Sequence, residues 1–258
     1  MIKLMKITLT CIALFGSSIL HAQNTHFTTS GTVEYEKSVN MYAIIKKEIN
    51  KDNESYMTPI LEQYKQKQPQ FKKLKSVLTF GDDKTLYTPI VAENAGSFFG
   101  NEAMAGQNNT IFTDLAAGFT TAQKKVFEET FLVKDSTRKI NWKITDETRV
   151  IAGYTCRRAN ALVLDTVYVV AFYTDQIPVS GGPESFSGLP GMILGVALPH
   201  ENVTWFATKV TDNAIDPKTL VAPKKGKPTN NKELHKTLTE AMKDWGDYSQ
   251  IMLKAFSL

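Results

Sequence analysis

The side chain best suited to act as a nucleophile is the thiol of Cys156. The chain of 258 residues has two cysteines, and the other lies in an N-terminal segment that we expect to be removed. Arg157 and Arg158 would lower the pKa of the thiol, and His200 or His235 could act as its base. The alternative is a buried, inert residue, because free cysteine is among the most buried residue types. We expect the inert thiol and assign no catalytic residue, and a thiol-dependent hydrolase remains the alternative.

Metal and cofactor sites are not expected from the remaining polar residues. His26, His200 and His235 are scattered, with no His-x-His or Cys-x-x-Cys spacing. The glycine-rich stretch 181–191 lacks both the dinucleotide spacing and a Gly-Lys-Ser/Thr ending. Its prolines also lack the backbone N–H that phosphate binding requires. The sequence therefore predicts no metal, no cofactor and no nucleotide.

Aromatic residues favour ligand binding over catalysis. They gather in the sequence around the glycine-rich stretch, at Phe172, Tyr173, Phe186 and Trp205. Concave and mostly apolar surfaces are the usual sites for small ligands. We therefore predict that these four side chains contribute to a surface that binds a peptide, a glycan or a lipid.

The N-terminus predicts export. Lys3 and Lys6 precede a mostly apolar run, Ile7–Leu20, which is shorter than the roughly 20 residues of a membrane-spanning helix. Small residues follow, so cleavage is expected between Ala22 and Gln23.

Residues 1–22 are therefore expected to be a signal peptide and residues 23–258 a single domain. The expected location is the periplasm, the outer-membrane surface or the medium.

Composition excludes several classes of protein. Hydrophobic residues make up 42% of the chain and charged residues 22%, which is ordinary for a globular domain and unlike a disordered or collagen-like chain. The net charge of +4 falls close to neutral once Lys3 and Lys6 are removed, so no nucleic-acid partner is indicated. No later stretch is apolar enough to predict a transmembrane helix.

Short alternating segments dominate the rest of the chain and predict β-strands. Turn residues separate them at intervals of about ten residues, which is typical of an antiparallel sheet. Val167–Tyr173 is almost continuously apolar, so we expect a central strand covered on both faces. The predicted strands are Gly31–Glu36, Leu74–Phe80, Thr85–Tyr87, Thr110–Thr113, Lys125–Phe127, Thr130–Val133, Asn141–Thr145, Thr148–Ala152, Tyr154–Ala159, Val167–Thr174, Met192–Leu198 and Val203–Val210.

Two helices are predicted beside the sheet. Thr58–Lys67 has Pro59 in its first turn, where proline is accepted. A long C-terminal helix over residues 231–256 follows a basic linker, residues 223–228. Its apolar stripe consists of Leu234, Leu238, Met242, Trp245, Tyr248, Met252 and Phe256.

Residues 94–109, rich in Gly, Asn and Ala, read as a loop. The expected fold class is α+β, with a curved, mostly antiparallel sheet shaped as a bowl or an open half-barrel.

The segment Ile177–Leu194 is a succession of turns. Pro190-Gly191 is typical of a type II turn, in which glycine supplies the positive φ of the second central residue. Phe186 and Leu189 are apolar residues in this loop, so we expect them to pack back onto the sheet.

This segment resembles the GLPGLI family, a group of exported Bacteroidetes proteins named for the hexapeptide that here reads Gly188-Leu189-Pro190-Gly191-Met192-Ile193. Further blocks resemble the family at Ile151, Gly153, Tyr154, Cys156, Arg158, Ala159, Phe172, Tyr173, Thr174, Ile177, Pro178, Gly182, Pro183 and Phe186. Some members also look like the bowl-shaped N-terminal domain of secreted bacterial N-glycan amidases. The resemblance implies an address and a fold, and it implies no activity.

Two short motifs are candidate sites of glycosylation. Asp135-Ser136-Thr137 and Asp165-Thr166-Val167 resemble the acceptor sequence of Bacteroidetes O-glycosylation, with Ser136 the better candidate. The leading hypothesis is an exported, non-catalytic binding or accessory protein of the cell envelope. A part that works beside an outer-membrane transporter, with an outer-membrane or envelope protein as partner, is the third interpretation.

Overall fold

The computed structural model describes residues 27–90, 103–106 and 109–258. The expected signal peptide, its cleavage site at Ala22 and Gln23, and His26 lie outside these residues. Most of the predicted loop 94–109 lies outside them too. The described part of that loop includes a helical turn, Ala103–Gly106.

The described residues form one open, curved sheet of twelve strands. In chain order these are β1 Gly31–Asn40, β2 Phe71–Gly81, β3 Lys84–Ile90, β4 Thr110–Asp114, β5 Phe119–Val126, β6 Glu129–Ser136, β7 Lys143–Ile151, β8 Tyr154–Val163, β9 Val167–Thr174, β10 Met192–Leu198, β11 Val203–Asp212 and β12 Lys227–Thr229. Their order across the sheet is β12-β6-β5-β4-β3-β2-β1-β11-β10-β9-β8-β7.

Neighbouring strands are antiparallel, except that β12 pairs in parallel with β6. The first strand lies inside the sheet, where it pairs with both β2 and β11. The two predicted strands over residues 141–152 form one strand, β7, because its register against β8 slips between Ile144 and Thr148 instead of breaking. The predicted β-rich α+β class with a curved, mostly antiparallel sheet is confirmed.

The strands predicted from apolar runs have the expected bounds. Val167–Thr174 and Met192–Leu198 coincide with β9 and β10. Seven of the eight β9 side chains are buried, which confirms a central strand covered on both faces. By contrast β5 begins at Phe119, six residues before the predicted strand. Its first residues are mostly polar and do not show an apolar alternation.

Two helices follow β1. The first, α1 at Met41–Glu48, was not predicted; it is capped by Asn40, whose side-chain oxygen accepts a hydrogen bond from the Ala43 N–H at 3.2 Å. The second, α2, spans Glu54–Lys67, about one turn longer than predicted. Pro59 therefore lies inside α2 instead of in its first turn. We name the helical turn Ala103–Gly106 α3.

The prediction of one long C-terminal helix over residues 231–256 is wrong. The segment forms two helices, α4 at Asn231–Ala241 and α5 at Asp247–Ser257. Gly246, with φ +57°, lies between them in the left-handed region, which glycine adopts without steric cost. Asn230 caps α4 by accepting a hydrogen bond from the Glu233 N–H at 2.9 Å.

The break also divides the predicted apolar stripe. Leu234, Leu238 and Met252 are buried as expected, whereas Trp245 and Tyr248 are exposed. The basic linker also differs from the prediction at its end, because residues 227–228 belong to β12 and pair with β6. Two short 3-10 turns, Pro199–Glu201 and Pro217–Thr219, complete the described structure.

Candidate functional site

The loop between β9 and β10 packs its apolar side chains into the core of the fold. Phe186 and Leu189 are buried, as predicted, together with Met192 and Ile193. The loop is fastened by its own backbone, with the Met192 N–H donating to the Ile177 carbonyl at 2.9 Å. The hexapeptide Gly188–Ile193 thus serves packing in this structure.

The same loop is fixed to the sheet through β1. The Tyr35 hydroxyl donates a hydrogen bond to the Ile193 carbonyl at 2.6 Å. The ring of Phe186 meets that of Trp205 edge-on, with 6.1 Å between centroids.

The four aromatic residues predicted to bind a ligand are all buried. Phe172, Tyr173, Phe186 and Trp205 are 1–6% exposed. Arg149 covers Phe172, with its guanidinium carbon 5.8 Å from the ring centroid. In this conformation the four rings are part of the core, and ligand binding by them stays a prediction.

Cys156 is buried, and its thiol is in an unreactive setting. Its side chain is 0% exposed, and Sγ donates a long hydrogen bond to the Tyr154 carbonyl at 3.5 Å. Burial raises the pKa of the thiol to about 11, so the thiolate is scarce at neutral pH.

The arginine and histidine side chains considered as partners of the thiol make other contacts or are exposed. Arg158 contacts Glu147 at 2.5 Å and donates from Nε to the Asn160 side chain at 3.0 Å. His200 lies in an exposed turn against Tyr168, and His235 is exposed on α4. The arrangement does not assemble a thiol nucleophile with a base.

A buried charged cluster lies beneath the β9–β10 loop. Lys37 and Glu184 are 4% and 8% exposed, and the Asn109 amide donates to Glu184 Oε2 at 3.0 Å. Burial lowers the pKa of Lys37 and raises that of Glu184, while the attraction between the two charges opposes both shifts. Tyr87 also hydrogen-bonds Glu184. A cavity of about 10 Å³ between these side chains is the size of one water molecule.

The cluster could not be found from spacing. Lys37, Asn109 and Glu184 come from distant parts of the chain, and no short motif contains two of them. Its enclosure by the sheet and the loop indicates a structural role, in which Glu184 ties the loop to β1 and to the segment before β4.

Exposed aromatic rings form a second feature, which we name the aromatic platform and define as Phe127, Trp245 and Tyr248. Their side chains are 46%, 43% and 38% exposed. Trp245 stacks on Tyr248, with centroids 6.1 Å apart and planes at 22°. Phe127 meets Trp245 edge-on at 5.5 Å. These side chains present connected apolar faces to solvent.

The platform is held by the structure on either side of it. Phe127 occupies the tight turn between β5 and β6 with φ +53°, which is uncommon for a bulky residue. Its ring also packs on buried Phe256, with 5.4 Å between centroids. The other two rings flank Gly246, so the break between α4 and α5 brings them to the surface.

A polar groove opens between the end of β6 and the two C-terminal helices. Its volume is about 470 Å³, within the range of small-molecule sites. We name it the C-terminal groove. It is lined by Asp135, Ser136, Thr137, Arg138, Lys139, Leu164, Asn231, Lys232, Leu234, His235, Phe256 and Ser257.

The two predicted glycosylation acceptors are both accessible. Ser136 is exposed at the edge of the C-terminal groove, and Thr166 is exposed in the turn between β8 and β9. Their glycosylation stays a prediction.

Within the part of the chain that the structure describes, no three His, Cys, Asp or Glu side chains gather in a way that could hold a metal ion. None of the helices in that part combines the length and the apolar character needed to span a membrane.

The fold and its surface features define a β-rich domain built on one open sheet, and comparisons with known proteins show what it resembles. Residues 161–195, which include the hexapeptide, match the model of a family described as "Protein of unknown function (Porph_ging)". This family is associated with Porphyromonas and Bacteroidetes. The resemblance to the GLPGLI family by name stays a prediction. A comparison with curated proteins gives no match.

Solved structures provide a likeness in fold. A structure of PNGF-II in space group P21 is 18% identical, with a TM-score of 0.50, over 81% of this chain and 33% of that chain. A second PNGF-II structure, in space group C2, gives a TM-score of 0.48 at 18% identity over 88% and 33% of the two chains. The chain thus spans about a third of the length of the PNGF-II chain that it resembles.

Proposed function

We propose that this protein is an exported, non-catalytic binding protein of the cell envelope that recognises a saccharide. The observation that carries the proposal is the aromatic platform. Connected, exposed apolar faces mark interaction sites in soluble domains. Flat rings suit sugars because the C–H face of a pyranose stacks on them while its hydroxyl groups stay hydrated.

Charges beside the platform favour a sugar over a lipid surface. Glu128, Asp244 and Asp247 each adjoin a platform residue in the sequence, and all three are exposed. Patches that bind anionic membranes carry lysine and arginine beside their apolar residues. Carboxylates, in contrast, accept hydrogen bonds from sugar hydroxyls.

Two other observations support a binding role. The buried thiol of Cys156, with its raised pKa, argues against the hydrolase. Some members of the family that the sequence resembles look like the bowl-shaped domain of N-glycan amidases, and this likeness, with the similar fold of PNGF-II, is consistent with a saccharide ligand or an accessory role. The envelope location rests on the N-terminal sequence.

The test is a fluorescence titration of the mature protein with high-mannose and complex N-glycan oligosaccharides. We expect saturable binding that Trp245→Ala weakens by about tenfold, equivalent to about 1.4 kcal/mol. Phe71→Ala is the matched control, because Phe71 is an exposed aromatic on β2 outside the platform, and it should bind as the wild type does.

A basic peptide provides the competing measurement, since aromatic rings beside carboxylates also attract cations. If the peptide binds at the platform and the oligosaccharides do not, the saccharide assignment is wrong. Equal loss of binding in Trp245→Ala and Phe71→Ala would also remove the platform from consideration.

A further inference from the structure

Two cations lie near the end of α5, Lys124 buried and Arg138 half-buried. Lys124 Nζ donates a hydrogen bond to the Phe256 carbonyl at 3.0 Å, and Arg138 Nη2 donates to the Ser257 carbonyl. Burial lowers the pKa of both groups, and the charge of Arg138 lowers that of Lys124 further. Backbone carbonyls stabilise cations through the helix dipole, but they carry no full negative charge.

One side of the Arg138 guanidinium has no hydrogen-bond partner among the residues that the structure describes. Its Nη1 atom is buried and makes no hydrogen bond within the described residues. A buried N–H group without an acceptor is destabilising, and more so when it is charged, so such groups usually meet water or a ligand. Arg138 lines both the C-terminal groove and a smaller adjoining cavity of about 40 Å³.

The rest of the C-terminal groove adds positive charge. Lys139 and Lys232 are exposed on its lining, together with His235. The acidic member of the lining, Asp135, is already engaged through both oxygens. Oδ1 accepts from the Ser136 N–H at 2.8 Å, and Oδ2 accepts from the Asn231 N–H at 3.0 Å.

We propose that the C-terminal groove binds a small anionic ligand, whose carboxylate or phosphate group is received by Arg138 with Lys139 and Lys232. A guanidinium with free N–H groups is the preferred protein partner of both anions. The groove differs from the aromatic platform in charge: lysine and arginine line the groove, whereas the residues that adjoin the platform in the sequence are acidic. It therefore adds a second ligand to the one in the proposed function.

The experiment measures the binding of two probes, inorganic phosphate and glucuronate, to the mature protein by isothermal titration calorimetry at low ionic strength. We expect at least one probe to bind, with an affinity that falls as salt is added because the lysines are exposed to screening. The double variant Lys139→Gln/Lys232→Gln should weaken that binding by at least about tenfold, since each substitution removes one attractive charge.

The matched control is Lys134→Gln/Lys236→Gln. Both of these lysines are exposed, on β6 and α4 respectively, and neither lines the groove. The control should bind the probe as the wild type does. Absence of binding by both probes at millimolar concentration, or equal weakening in the two double variants, would overturn the proposal.

The two proposed sites can be tested independently of each other. Trp245→Ala should leave phosphate or glucuronate binding unchanged, and the groove variant should leave oligosaccharide binding unchanged. If phosphate alone binds, the ligand class is a phosphate. If glucuronate alone binds, it is a carboxylate.

Discussion

At the scale of single residues, burial decides what Cys156 does. A thiol followed on its strand by two arginines has the sequence context of an activated nucleophile, yet its reactivity depends on the side of the sheet it faces. Here the side chain faces the core, where the neutral form is favoured. The neighbouring arginines are at the surface or half-buried and do not stabilise a thiolate.

We therefore expect iodoacetamide to leave Cys156 unmodified in the folded protein and to label it fully in denaturant, as intact mass would report. Cys156→Ser should cost about 1–3 kcal/mol, because it buries a hydroxyl, and should retain oligosaccharide binding. Rapid labelling of the native protein, or a well-folded serine variant that has lost an activity, would contradict the inert thiol and support Cys156 as a nucleophile.

At the scale of elements, Gly191 determines how the loop enters β10. Its φ is +143°, and a Cβ at this position would stand 2.1 Å from the Thr174 carbonyl oxygen at the end of β9. Backbone cannot give way as a flexible side chain can, so the close approach of the two strands depends on the missing Cβ.

Gly191→Ala should lower the free energy of unfolding by at least about 2 kcal/mol, from the combined strain of backbone conformation and contact, as measured by urea denaturation. Gly246→Ala separates the two causes, because Gly246 also has positive φ but has open space around its Cβ position. Its φ of +57° and ψ of −141° are a conformation essentially restricted to glycine, so backbone strain alone should cost about 1–3 kcal/mol, less than the cost of Gly191→Ala. Similar values for the two variants would mean that the contact with Thr174 is unimportant.

The elements also show how far the sequence can predict. Apolar runs such as Val167–Thr174 predicted strand bounds well, because burial on both faces leaves few alternatives. Phe119–Val126 was missed in part since five of its eight side chains are polar, and pairing with β4 and β6 decides its structure.

The candidate sites were less predictable than the strands. Trp245 and Tyr248 fit the apolar stripe of a continuous helix, and the break at Gly246 turns them to solvent. The platform further requires Phe127, more than a hundred residues earlier in the chain, and no periodic pattern connects positions so distant.

At the scale of the whole molecule, the buried Lys124 links stability to pH. Burial lowers its pKa from 10.5 to about 8, so above that value the folded protein releases a proton that the unfolded chain still holds. The unfolded state then binds more protons, and stability rises with pH through this window.

Relative to Lys124→Met, the wild type should therefore gain about 2–3 kcal/mol of unfolding free energy between about pH 8 and about pH 10, as measured by urea denaturation. Other titrations in this range cancel, because both proteins share them. A constant difference between wild type and variant across this range would mean that the lysine titrates normally in the fold.

The position of β1 inside the sheet has a kinetic consequence. Strands β1 to β6 each pair with the next in sequence, as do β7 to β11, so both halves grow by pairing strands that are neighbours in the chain. The seam between them pairs Gly31 with Asp212, 181 positions apart in the chain. Closing a long loop costs more chain entropy than closing a short one, and this cost is met before the strand contacts that offset it have formed. During synthesis from the N-terminus, β1 can therefore pair with β2 early, but its other edge stays unpaired until β11 has been made. The pairing of β1 with β11 is then the late step that joins the two half-sheets into one domain.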